Sequence, residues 1–200
     1  EVLRRLTAAE NEHGVRALFA IESGSRAWGF ASPDSDYDVR FVYAHEPSWY
    51  QAVDLEERRD VIEYEIVDEI DLSGWDVRKA LRLFWKSNPS FVEWIQSPIT
   101  YLDRSVFRTE ALNLLTSIYD PERGVHHYRS MARTHFRGHL CEEHVVLKKY
   151  FYALRPLLAA RWTSRRLGAA PIEFERLLDL LTEEPKVLME VRKLLERKRE

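Results

Sequence analysis

Cysteine is almost missing from this 200-residue chain. Cys141 stands alone, so the chain can form neither an internal disulfide nor a thiolate zinc site. Long hydrophobic runs are missing too. The longest stretches free of Asp, Glu, Lys and Arg span nine residues (94–102 and 111–119), far short of the roughly 18 apolar residues of a membrane span. The first residues, EVLRRLTAAENEHG, carry charges throughout and no apolar segment, so no signal peptide is expected and a cytoplasmic location is the default. The chain opens at Glu1 instead of methionine, so its natural start is expected to lie elsewhere, and the RKRE end is read the same way. No G-x-x-x-x-G-K-[ST] loop, G-x-G-x-x-G loop or G-x-S-x-G elbow occurs, which argues against common ATPases, Rossmann oxidoreductases and α/β-hydrolases. Repeats and low-complexity segments are absent as well.

An excess of one charge is missing only from the sum. The formal net charge is −3. Residues 1–121 hold 13 basic and 22 acidic side chains, net −9, whereas residues 122–200 hold 17 basic and 11 acidic, net +6. A uniformly basic nucleic-acid coat is thereby excluded, while a local polyanion site is not.

What is present can bury a core: 45% of the residues are apolar and 12% aromatic. Residues 2–18 show helical spacing, with Gly14 as a weak point, and 17–24 read as a buried strand that ends at Ser-Gly. The turn formers of ASPDSD (31–36) lead into YDVRFVYA (37–44), a second strand. VIEYEIVDEIDL (61–72) reads as a third. Ser73 and Asp76 have capping-box spacing ahead of a helix over 75–87, and 88–98 reads as a short helix between turns. After Pro121 the patterns turn helical: a nearly unbroken run over 125–166 with Pro156 kinking or ending a helix, then helices over 172–182 and 186–198. The expected fold is α+β, with a small mixed-sheet core over 1–121 and a helical domain over 122–200.

The chemistry concentrates in GSRAWGFASPDSDYDVR (24–40). Gly24 and Ser25 follow a strand and open a short helix, a junction that offers free N–H groups and a hydroxyl to an anion. Alone, Gly-Ser is more often an ordinary tight turn. Asp36 and Asp38, two apart at the start of a strand, project from one face. Carboxylates so placed repel unless a cation sits between them, and Mg2+ is the natural candidate. Arg26 is placed to meet a phosphate or to pair with Glu22 or Asp34. Arg40 lies on the face of Asp38, where an ion pair with the carboxylates is the plainer reading.

These residues resemble the signature of the DNA polymerase β-like nucleotidyltransferase superfamily: Gly24, Ser25, Ala27 and Gly29, then Ser35, Asp36 and Asp38. The segments DLSGWDVRKAL (71–81), NPSFVEWIQSPITY (88–101) and KKYFYALRPLLAARW (148–162) extend the likeness over about residues 15–165. Together they are similar to the branch of predicted nucleotidyltransferases that includes relatives accompanying phage RNA ligases. The resemblance implies a palm-like core in which Ser25 and nearby N–H groups bind the β/γ-phosphates of an NTP. It implies that Asp36 and Asp38 bridge two Mg2+ ions, with Mn2+ as an alternative, and that a neighbouring strand supplies a third carboxylate. Glu65, Asp68, Glu69, Asp71 and Asp76 are candidates for that acid. Asp71 is assigned because it lies at the strand's end and matches the D-x-x-G-W-D segment. Glu69 is second, and Asp76 is better explained as a cap.

Residues 123–166 carry ten Lys and Arg against Glu142 and Glu143, and five of the seven histidines. Lys148, Tyr152 and Arg155 fall on one helical face, a cation–aromatic–cation row suited to a triphosphate with a base or sugar stacked nearby. A solvated basic face is the plainer alternative. His135 and His139 sit four apart but lack a zinc-site context, and Cys141 reads as a small core residue. The expected function is Mg2+-dependent transfer of a nucleoside monophosphate from an NTP, ATP first, to an acceptor hydroxyl, with RNA the leading acceptor. Protein or small-molecule hydroxyls, a non-catalytic nucleotide-binding or antitoxin-like module, and a helical RNA-docking scaffold are the alternatives. No membrane partner is expected, and the oligomeric state is open.

Overall fold

In the computed structural model, which describes residues 1–142 and 144–199, the alternation of short apolar runs with amphipathic segments builds a five-stranded sheet flanked and followed by helices. Leu6 and Ala9 are the buried side of α1 (Val2–His13), which ends where Gly14 takes the left-handed conformation (φ 61°). The chain then runs through β1 (Arg16–Glu22), the one-turn α2 (Gly24–Trp28) and β2 (Tyr37–Ala44). Two 3₁₀ turns (Pro47–Gln51, Leu55–Glu57) precede β3 (Val61–Glu63) and β4 (Ile70–Asp76). Next come α3 (Val77–Trp85), α4 (Pro89–Gln96), β5 (Thr100–Asp103) and α5 (Phe107–Ile118). The remainder is helical: α6 (Pro121–His139), α7 (Leu147–Ser164), α8 (Phe174–Leu178), a 3₁₀ turn (Asp179–Leu181) and α9 (Pro185–Arg199).

The sheet order is β3-β4-β2-β1-β5. It is mixed: β2 and β4 run parallel, while the other neighbours run antiparallel. The fold is therefore α+β, as expected. Because side chains alternate across a strand, one face of the sheet packs Ala17, Val39, Phe41, Tyr43, Ile70 and Leu72 against α1. The other packs Phe19, Ile21 and Val42 against α3, α4 and α5. A third cluster lies among α6–α9 and takes in Phe30 and Trp28 from beside α2. No helix among the described residues is long and apolar enough to cross a membrane.

The structure corrects several local expectations. The strand expected over 61–72 is two strands, because Asp68 and Glu69 adopt positive φ (48° and 63°) and turn the chain between β3 and β4. Ser73 lies inside β4 and Asp76 is itself the N-cap of α3, accepting from the Arg78 N–H at 2.8 Å, so no Ser73–Asp76 capping box forms. The helical run over 125–166 breaks between α6 and α7. Pro156 does not end α7, within which it is buried. Cys141 is exposed, not a core residue.

Candidate active site

The site grows from the way β1 hands the chain to α2. The Ser23 N–H donates to the Asp38 carbonyl at 2.8 Å, and the buried Glu22 carboxylate accepts from the Asp38 N–H at 2.9 Å and from the Tyr101 hydroxyl at 2.5 Å. Burial holds the Glu22 carboxyl above its usual range, against the pull of these two hydrogen bonds. The junction is thus fastened to the start of β2. Gly24 meets it at φ 58°, and a Cβ there would stand 1.9 Å from Asp38 Oδ2. Only glycine allows both that backbone conformation and that approach.

The turn after α2 is organised by Arg26 and two serines. Arg26 donates to the Ser35 carbonyl at 2.7 Å and the Asp36 carbonyl at 3.2 Å, with its guanidinium 3.9 Å from the centre of the Tyr37 ring. The Ser35 hydroxyl accepts from the Ser32 N–H at 2.9 Å. Arg26 therefore holds the turn and does not line the cleft.

A narrow cleft opens above this turn, lined by Ser25, Phe30, Ser32, Asp34, Ser35, Asp36, Asp38, Lys148, Tyr152 and Lys198. Ser25, Asp36, Asp38, Lys148 and Tyr152 are among the residues the sequence singles out, and Gly24 lies against Asp38 at its floor. Burial raises the Asp38 carboxyl, as do the nearby Asp71 and Asp36 charges, while Arg40 opposes the shift. Burial likewise raises the Tyr152 hydroxyl, with Asp38 and Asp36 adding to it, so Tyr152 keeps its proton.

Asp71 is paired with Asp38 in the parallel register of β4 and β2. Arg40 stands between their carboxylates, 3.1 Å from Asp38 Oδ1 and 2.6 Å from Asp71 Oδ2, and donates to the Asp71 carbonyl at 2.8 Å. The other acids considered for the third position are elsewhere: Glu65 lines a separate groove beside α1, Asp68 pairs with Arg5 at 2.7 Å, Glu69 lies in the β3–β4 turn, and Asp76 caps α3.

Arg155 stands outside the cleft. It is 1% exposed, donates to Glu93 at 2.7 Å and to the Ile172 carbonyl at 3.2 Å, and lies 4.7 Å from the Trp28 ring. Helical spacing with Lys148 and Tyr152 did not foresee this burial, because Glu93 is 62 residues away in the chain. Lys198 and Asp34 were missed. Asp34 sits inside the motif and carried a signal; Lys198, in the last helix, carried none.

For a divalent cation the fit is specific. Asp36 and Asp38 offer only oxygen donors to a polar cleft, which suits an ion such as Mg2+ that takes one or two carboxylates and completes its shell with phosphate oxygens and water. Burial raises the Asp38 carboxyl first, and the Asp71 and Asp36 charges that add to it are ones a cation would offset. A set of three acids does not form: among the described residues no three His, Cys, Asp or Glu side chains are grouped to hold a metal ion. Arg40 already supplies positive charge between Asp38 and Asp71.

Comparison with known proteins adds three findings. A family profile described as RlaP, RNA repair pathway DNA polymerase beta family, matches residues 1–200. A protein of Bacillus subtilis (strain 168), named uncharacterized protein YcgL, is 45% identical over 198 residues, covering 99% of this chain and 75% of its own length. Among solved structures, a nucleotidyltransferase-like protein from Exiguobacterium sibiricum 255-15 aligns over 99% of this chain and 71% of its own, with 14% identity and a TM-score of 0.39.

Proposed function

This chain belongs to the RNA repair pathway DNA polymerase beta family, and from that premise we propose that it transfers a nucleoside monophosphate from an NTP, ATP first among them, to an acceptor hydroxyl. A bond forms between the acceptor oxygen and the α-phosphorus, the α-phosphorus–oxygen bond to the β-phosphate breaks, pyrophosphate leaves, and the hydroxyl proton passes to water. The observation that carries this reading is the gathering of Ser25, Asp36, Asp38 and Lys148 around one cleft.

The chain's own residues bind and orient. The Ser25 hydroxyl and the N–H groups of the Gly24 turn donate to phosphate oxygens. Lys148 adds positive charge, and Tyr152, which keeps its proton, offers a donor beside an apolar ring. Arg40 holds Asp38 and Asp71 in place by neutralising both. Asp36 and Asp38 would hold an Mg2+ ion, which would supply charge neutralisation at the phosphates.

RNA is the acceptor we favour. The family description names RNA repair, and α6 exposes Arg129, Arg133 and Arg137, one turn apart, as a basic stripe for a phosphate backbone. A binding-only reading draws on Arg40, whose guanidinium already meets Asp38 and Asp71; it predicts stabilisation by MgATP with no pyrophosphate released.

The test is incubation with each α-labelled NTP and RNA, protein and metabolite fractions, scoring label transfer and pyrophosphate. Asp36→Asn/Asp38→Asn should abolish both while the protein stays folded. Turnover by that double variant equal to the unsubstituted protein's would sink the reading.

A further inference from the structure

The last helix brings a charge to the cleft that the motif does not explain. On α9, Val191 and Leu195 are buried in the helical core. Lys198 lies seven residues beyond Val191 and three beyond Leu195, on the same helical face. It therefore points inward along the buried stripe, at the point where the stripe passes from core to cleft. Two other cations of this helix behave differently: Lys193 pairs with Glu190 at 2.8 Å, and Arg192 with Glu175 at 3.5 Å, both exposed.

We propose that Lys198 is a second phosphate-binding cation of the cleft, facing a metal-loaded triphosphate together with Lys148, so that α9 forms one wall of the nucleotide site. This rests on the nucleotidyl-transfer reading above and adds to it a residue from the far end of the chain. Lys198 donates to the Ser32 hydroxyl, and no carboxylate among the described residues comes within 4.0 Å of it or of Lys148. Two ammonium groups thus line one cleft without an ion-pair partner. Burial depresses the Lys198 pKa, Asp34 opposes that shift, and Lys148 adds to it. Such an arrangement has a cost that a bound polyanion removes. Asp34, Asp36 and Asp38 line the same space, so a bare anion is repelled and a polyphosphate carrying its own Mg2+ is not. Arg199 donates to the Gly29 carbonyl at 2.9 Å, fastening the end of α9 to the end of α2, the helix that holds Ser25.

The test is calorimetric titration of the full chain with MgATP and with magnesium tripolyphosphate, beside thermal denaturation of each variant. Lys198→Met should weaken both ligands by roughly 10- to 100-fold, the loss of one charge-assisted contact. Lys198→Arg should recover most of that loss. Lys193→Met, which removes an exposed lysine of the same helix, should bind as the unsubstituted protein does. If Lys198 only anchors α9, Lys198→Met will lower the melting temperature and leave both affinities untouched, which overturns the proposal. Unchanged affinity in Lys198→Met beside a loss in Lys148→Met overturns it alone. Failure of the unsubstituted protein to bind either ligand overturns the nucleotidyl-transfer reading with it.

Discussion

Gly24 shows how much of the site hangs on one missing atom. Its left-handed φ costs any other residue about 1–2 kcal/mol, but that strain is shared with Gly14, whose φ of 61° opens onto empty space. The two glycines therefore separate strain from contact. Gly14→Ala should lower stability by about 1 kcal/mol and leave pyrophosphate release intact. Gly24→Ala should lose at least as much stability and cut release tenfold or more, because its Cβ displaces the Asp38 carboxylate from 1.9 Å away. Equal activity in the two variants, measured beside their melting curves, would show that Asp38 has no part in the reaction. At this scale the sequence was most readable where function and backbone geometry coincide. Gly24, Ser25, Asp36 and Asp38 are close in sequence, and the glycine, the turn and the alternating aspartates each carry a local signal. Arg26 shows the limit: its charge was visible, but the Ser35 and Asp36 carbonyls that claim it lie in the following turn. The Arg40–Asp38 pair, by contrast, was legible from their shared strand face, and only Arg40's second partner, Asp71, lies on another strand.

The elements were legible where periodicity was unopposed and misread where one residue does two jobs. Asp76 ends β4 and caps α3; its fully buried carboxylate also accepts from the Tyr50 hydroxyl at 2.9 Å. Asp76→Ala should cost about 2–4 kcal/mol, a lost cap plus stranded donors on Tyr50 and Arg78. Ser73→Ala should stay within about 0.5 kcal/mol, since Ser73 is a strand residue and caps nothing. Urea denaturation measures both, and a large loss at Ser73 would restore the capping box. The split of β3 from β4 was hidden because Asp68 and Glu69 adopt a conformation that glycine or asparagine usually signals. Pro156 does not end α7 as one of its two readings had it: helix breaking is a propensity, and packing that buries the ring overrides it.

At the scale of the molecule, sheet and helices are joined by a buried charge pair. Glu93 of α4 accepts from Arg155 of α7 at 2.7 Å and from the Trp28 indole of α2 at 3.2 Å. Arg155→Met leaves that carboxylate buried with only neutral donors and should cost about 3–5 kcal/mol. Glu93→Leu/Arg155→Met should recover much of the loss, a non-additivity read directly from chemical denaturation. If the single and double variants are equally unstable, the pair is not the joint. The charge halves of the sequence have a matching three-dimensional sense: acids at the start of β2 and lysines from α7 and α9 line the same cleft. The lysines' distance along the chain is why this assembly was only partly legible. Lys148 was readable from its helical row, whereas Lys198 becomes visible only when α9 is docked.

That docking bears on synthesis as well as on binding. Chains emerge from the ribosome N-terminus first, at about 5–20 residues per second. A nascent chain that has emerged only through α8 holds Ser25, both aspartates of the turn and Lys148, yet the cleft still lacks one of its walls. Lys198 reaches Ser32 across 166 residues, so this wall cannot close before α9 has emerged. If Lys198 holds phosphate as proposed, a chain that stops before α9 should bind MgATP more weakly than the full chain by the factor expected for Lys198→Met.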